Sequence, residues 1–174
     1  KVMAQSVIYD SKSQIIKPTD LNFEYNYSDC SFWNPNFIPI PLEIQKAELE
    51  NGVFNIKKNE RIQASAIVEI IKQLISKLNS KDIALCYPGL KSRSGIILMA
   101  NGPRIPDLIE QIPEIKTIYH DSECCLLGEI NSVIGRIKHS KNTIYIGGGT
   151  GIADGLILNN EIIDFNNEDD LRRS

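Results

Sequence analysis

Between residues 117 and 157 the sequence reads as a strand, a helix opened by Asp121, a second strand and a glycine run, GGGTG at 147–151. A helix flanked so closely by strands buries its apolar side by packing on a sheet, which restricts the chain to α/β architectures. The rest agrees with that order. Residues 1–9 alternate enough for a strand, a turn at 10–13 leads to a second extended piece at 14–17, and 59–78 is the clearest helix. In that helix Ile62, Ala66, Ile70, Leu74 and Leu78 recur every four residues, and Ile67, Ile71 and Ile75 widen the same face. Asn59 is placed to cap it, with Glu60 in its first turn.

A short buried strand is expected at 82–86, another strand at 95–100, a helical turn at 106–111, a strand at 115–119, a helix at 121–138 and a strand at 142–146. A hairpin across Asn159 and Asn160 should follow, and then a charged tail at 166–174. Residues 18–58 crowd Tyr25, Tyr27, Phe32, Trp33 and Phe37 with Pro35, Pro39 and Pro41, which suggests strands broken by loops. Asn51 and Gly52 suggest a tight hairpin turn within 47–56.

A net charge of −3 over 174 residues gives no nucleic-acid footprint. No apolar run is long enough to span a bilayer and no signal-peptide pattern opens the chain, so the expected compartment is the cytoplasm. Cys30, Cys86, Cys124 and Cys125 lack zinc-ligand spacing, and His120 and His139 form no metal pair. The cysteines are expected as free thiols, buried or nearly so, and no metal site is expected.

Two features suit phosphoryl transfer. Asp121, in the first turn of a helix, is stabilised as an anion by the helix dipole and can accept a hydroxyl proton, although capping alone also explains an aspartate there. The glycines at 147–151 let backbone amides approach a phosphate, with Thr150 adding a hydroxyl; a glycine-rich hairpin turn is the plain alternative. Neither a Walker-type P-loop nor a GxGxxG dinucleotide fingerprint is present. Turns at 87–89 and 101–103 end predicted strands, where α/β proteins commonly bind small molecules. Lys91 and Arg93 are expected as solvated charges.

Taken in order, four segments resemble the ROK family of sugar kinases, within the actin/hexokinase/Hsp70-like superfamily. They are YPGL at 87–90 with SGII at 94–97, MANGP at 99–103, HDSECCLLGE at 120–129 and IGGGTGI at 146–152. The resemblance covers residues 82–163. It implies a ribonuclease H-like lobe, a mixed sheet flanked by helices, over 1–140, with the first strand and phosphate-loop hairpin of a second lobe over 141–174.

The same resemblance makes Asp121 the catalytic base, and Asn101, His120 and Gly89 contacts to a small-molecule sugar. Gly149, Thr150 and Gly151 would hold the phosphates of ATP, bridged by Mg²⁺. Glu129 matches a structural helix glutamate. Departures are His120 where the family has asparagine, and Ala153 and Asp154 where it has glycine. The family's opening Asp-x-Gly-Gly-Thr loop, its ExGH motif, its zinc-ligand cysteines and its C-terminal lobe have no counterpart here. The chain is therefore expected to be an incomplete part of a kinase, exposing apolar surface through which it can form a homodimer. The rival expectation is a non-catalytic descendant that senses a sugar or nucleotide, or serves protein contacts.

Overall fold

The computed structural model describes residues 1–12, 15–80, 82–132, 134–137, 140–148 and 152–163. The chain is α/β and divides into two compact units, one of Lys1–Ser6 with Pro18–Ile118, the other of Val7–Lys17 with Tyr119–Ser174.

In chain order, β1 (Val2–Asp10) and β2 (Ile15–Tyr25) pair as a two-stranded sheet. A single 3₁₀ turn, Tyr27–Asp29, precedes α1 (Leu42–Glu50) and α2 (Lys58–Leu78). Then come β3 (Ile83–Cys86), β4 (Leu90–Lys91), β5 (Ile96–Leu98), the one-turn helix α3 (Leu108–Gln111) and β6 (Ile115–Tyr119). β3 pairs with β6, and β4 with β5. The core of the first unit sets Ile67, Ile71 and Ile75 of α2 against Ile96, Ile105, Leu108, Ile112 and Ile115. Each such side chain contributes about 1.5–3 kcal/mol by leaving water.

The second unit holds α4 (Asp121–Asn131) and the meander of β7 (Thr143–Gly148), β8 (Ile152–Leu158) and β9 (Glu161–Ile162). β7 and β8 run antiparallel, with Gly148 opposite Ile152. Asn159 and Asn160 both have positive φ, 53° and 69°, the geometry that suits a two-residue hairpin turn. Leu126 of α4 is fully buried in this unit, and an added Cβ on Gly155 would come within 2.6 Å of its Cδ1.

Several expectations change. The 47–56 hairpin is instead the end of α1: the Val53 amide donates to the Glu48 carbonyl (2.9 Å) and the Gly52 amide to Leu49 (3.0 Å). With Gly52 at φ +65° this is a Schellman cap, which needs the same left-handed glycine as a hairpin turn. Within 18–58 the structure has the long β2, the 3₁₀ turn and α1 rather than a series of strands.

α2 begins one residue early, at Lys58, so Asn59 lies inside it, its Oδ1 accepting from the Glu60 amide (3.0 Å). Ala66, Ile67, Ile70, Ile71, Leu74 and Ile75 of the expected stripe are buried, whereas Ile62 is 42% exposed. β3 alternates half-buried and exposed residues rather than being buried.

α4 stops at Asn131 instead of reaching 138. The chain turns back there: a Cβ on Gly135 would overlap the Glu129 carbonyl oxygen, and the Arg136 amide donates to Glu129 Oε2 (2.9 Å). Glu129 thus serves the turn. All four cysteines are free, but Cys86 and Cys125 are exposed and Cys30 and Cys124 only half-buried. Lys91 is buried, its ammonium donating to the Gly89 carbonyl (2.8 Å), while Arg93 is exposed as expected. Among the described residues no helix is long and apolar enough to cross a membrane.

Candidate functional site

In the first unit the candidate residues sit at the ends of β3 and β5. Gly89 takes φ +89°, and a Cβ there would lie 2.4 Å from the Leu98 carbonyl oxygen. Its glycine identity is thus demanded by the approach of the turn to β5, whatever else it touches. Beyond β5 the chain passes from buried Met99 through exposed Ala100 and Asn101 to buried Pro103 and Arg104. Among the described residues no partner is found for the Asn101 side-chain amide.

In the second unit His120 and Asp121 lie side by side at the start of α4. His120 is the N-cap, extended at φ −73° and ψ 150°, and its backbone amide donates to Glu123 Oε2 (2.7 Å). This glutamate bond is half of a capping box and fixes the entry into the helix. The Asp121 carboxylate is 49% exposed. Its Oδ1 meets His120 Nδ1 (2.6 Å) and accepts the Ser122 amide (3.0 Å). His120 Nδ1 also lies 3.0 Å from the buried Ser122 hydroxyl. No partner is found among the described residues for Asp121 Oδ2.

Tyr145 of β7 shares this neighbourhood. Hydrogen bonding to the Cys125 thiol, with the charges of Cys125, Asp121 and Glu129 and some burial, holds its phenol pKa above the usual value. Asp121, Cys125 and Glu129 recur every four residues and so share one face of α4. A Cβ on Gly147 would come within 2.6 Å of the Tyr145 hydroxyl, so that glycine makes room for the phenol. Gly149, Thr150 and Gly151 lie outside the described residues, as does His139. Among the described residues, no three His, Cys, Asp or Glu side chains gather as a metal site.

Sequence reasoning missed Tyr145, and it missed the polar support of the Asn101 loop by Gln45, Glu60 and Arg104. A signal for Glu60 was present. It continues the stripe through Ala64, Ile67, Ile71 and Ile75, which points a carboxylate at the core and calls for a buried cation.

No protein-family model matches the chain, and no curated protein matches it. Among solved structures it is similar to a crystal structure of a "putative sugar kinase" from Cytophaga hutchinsonii ATCC 33406, with 25% identity and a TM-score of 0.47. The match covers 57% of this chain and 36% of that one, so the chain spans well under two thirds of that protein's length.

Proposed function

We propose that the chain supplies the sugar-binding lobe, and the beginning of the nucleotide lobe, of an ATP-dependent kinase of ROK type acting on a hydroxyl of a hexose or amino sugar. The lobe boundary at 140/141, the ribonuclease H-like plan, a cytoplasmic location and a homodimer belong to the same reading. One observation carries it: Asp121 opens α4 directly after β6 with one oxygen held and the other open.

The held oxygen orients the carboxylate, and the open Oδ2 accepts the proton of the sugar hydroxyl. The positive end of α4 favours the anion before that transfer. His120 turns Nδ1 to Asp121 and Ser122, which leaves Nε2 for the sugar. Asn101, free of other partners among the described residues, offers an amide donor and acceptor to sugar hydroxyls. The Gly89 backbone is the remaining sugar contact in this reading.

ATP with Mg²⁺ would supply the phosphoryl group and neutralise its charge, the ion being held mainly by phosphate oxygens and water. Gly149, Thr150 and Gly151 would take the phosphates.

Titration of a hexose and amino-sugar panel, and of ATP–Mg²⁺, into the chain and its Asp121→Ala variant tests the reading. The expected result is sugar binding weakened at least about tenfold by the substitution, for the loss of a charged hydrogen bond, with nucleotide binding unchanged. Sugar binding indifferent to Asp121, or none in the longest expressed form of the protein, would leave the non-catalytic descendant standing.

A further inference from the structure

The loop after β5 is held at both ends by buried side chains from α1 and α2. At its start Gln45 acts like a neighbouring strand: Oε1 accepts the Met99 amide (2.8 Å) and Nε2 donates to the Met99 carbonyl (2.9 Å). The same Nε2 donates to the Ile40 carbonyl (2.6 Å). At its far end Glu60 Oε1 accepts the Arg104 backbone amide (3.0 Å) and Nε (2.9 Å), while Oε2 accepts Nη2 (3.0 Å). Arg104 Nη1 pairs with Glu48, and Nη2 reaches the Asn55 carbonyl (3.4 Å). The Arg104 side chain is 0% exposed and that of Glu60 1%.

Between these two anchors only the tip, Ala100 and Asn101, is exposed. Buried ionic and amide groups are poor investments for stability alone, because apolar side chains of similar volume often fill such places at no loss. What these groups supply is geometry: each bonds a backbone amide of the loop, one on either side of Asn101.

We propose that Gln45 and Glu60 are positioning residues, which fix the backbone on both sides of Asn101 so that its amide meets the ligand in one orientation. The proposal rests on the reading of Asn101 as a sugar contact.

Amide hydrogen exchange and hexose titration on the same samples test it. Gln45→Met keeps the length of the side chain but removes the acceptor of the Met99 amide and the donor to the Met99 and Ile40 carbonyls. Glu60→Gln keeps the shape but removes the charge facing Arg104. The Ile96 and Ile105 amides, which donate to each other's carbonyls (2.8 and 2.9 Å) in the same unit, report general loosening.

The expected result is exchange faster by about tenfold at Met99 in Gln45→Met, whose amide loses its acceptor, and at Arg104 in Glu60→Gln, whose amide keeps its acceptor but loses the charge on it. Ile96 and Ile105 should stay protected, and hexose affinity should fall by a similar factor. In an Asn101→Ala background neither substitution should lower affinity further.

Equal acceleration at all four amides would reduce the two residues to general scaffolding and overturn the proposal. So would a loosened loop with unchanged affinity. If either variant fails to fold, Gln45→Asn or Glu60→Asp, which keeps the chemistry of the group but draws it back from the loop amide by one methylene, applies the same test. If the unsubstituted chain binds no hexose, the sugar reading of Asn101 falls, and the exchange pattern alone decides whether Gln45 and Glu60 fix the loop.

Discussion

The tip of the loop after β5 and the head of α4 each present a polar side chain just beyond a strand, and they are held in opposite ways. Asn101 has no side-chain partner among the described residues, and its backbone is fixed by Gln45 and Glu60, 54 and 44 residues from the groups they bind. Asp121 is held by its own turn, through His120, the Ser122 amide and the capping bond of Glu123. The first arrangement exists only when its unit is packed. The second is assembled by local backbone geometry and tolerates loss of any one partner.

The largest test of that contrast is removal of one member of the buried network. Arg104→Ala leaves Glu60 buried and unpaired and should cost about 3–5 kcal/mol of stability in urea unfolding. The double variant Glu60→Gln with Arg104→Met, which removes both charges, should cost clearly less. At the head of α4, His120→Ala should cost under about 1 kcal/mol, the range of exposed pairs. A similar cost for Arg104→Ala and His120→Ala would erase the distinction between the two regions.

Glycines sharpen the comparison at a smaller scale. Gly155→Ala places a methyl 2.6 Å from Leu126 Cδ1, the end of a side chain that can shift, and should cost about 1–3 kcal/mol. Gly95→Ala meets backbone instead, with its Cβ 2.0 Å from the Ile105 carbonyl oxygen. Ile105 is locked to Ile96 by paired amide bonds, so the cost should lie at or above the top of that range. Adding Leu126→Val should relieve Gly155→Ala in a double-mutant cycle, whereas Gly95→Ala should resist rescue from any side chain.

The two regions also carry tyrosines that hold their protons for different reasons. Burial, then the neighbouring Tyr27, raises the Tyr87 pKa above the ordinary 10.0. The folded state keeps a proton that the unfolded chain releases above about pH 10, so this stability is complete below that pH and is lost as pH rises through the folded value. Tyr87→Phe should flatten the alkaline limb of a stability-against-pH curve while leaving neutral pH little changed. Tyr145 is raised chiefly by its hydrogen bond to Cys125, so Cys125→Ala should move its ultraviolet titration back toward pH 10. An unmoved titration would mean that the thiol is not its partner.

The sequence made the α/β order legible where a pattern was both long and one-sided. The helix at 59–78 and the strand at 115–119 were found almost to the residue, because repeated isoleucines and a compact β-branched run leave few alternatives. Gly52 was placed at a turn but assigned to the wrong kind, since a left-handed residue serves a Schellman cap as well as a hairpin. The end of α4 was overrun because Ile134 and Ile137 keep helical spacing, yet Ile134 is 89% exposed beyond the helix. Asp121 and Asn101 could be singled out from local motifs. Gln45, Glu60 and Arg104 could not be joined, because their partnership depends on contacts between distant segments.

The smallest expected change in stability falls at the residue with the largest proposed role. Asp121 is half exposed, so replacing it with asparagine forfeits mainly its favourable interaction with the positive end of α4, about 0.3–1 kcal/mol. The amide of asparagine can still accept the Ser122 N–H, and it can rotate to suit His120. Thermal unfolding of Asp121→Asn should therefore stay close to the parent, while its sugar affinity falls and any phosphoryl transfer is lost. The opposite pattern, a clear loss of stability with unchanged binding, would make Asp121 a cap and nothing more. His120→Asn, which removes the ring but keeps a capping side chain, separates the remaining cases. If His120 only orients Asp121, that variant should lower affinity less than Asp121→Asn does, with the same negligible effect on unfolding.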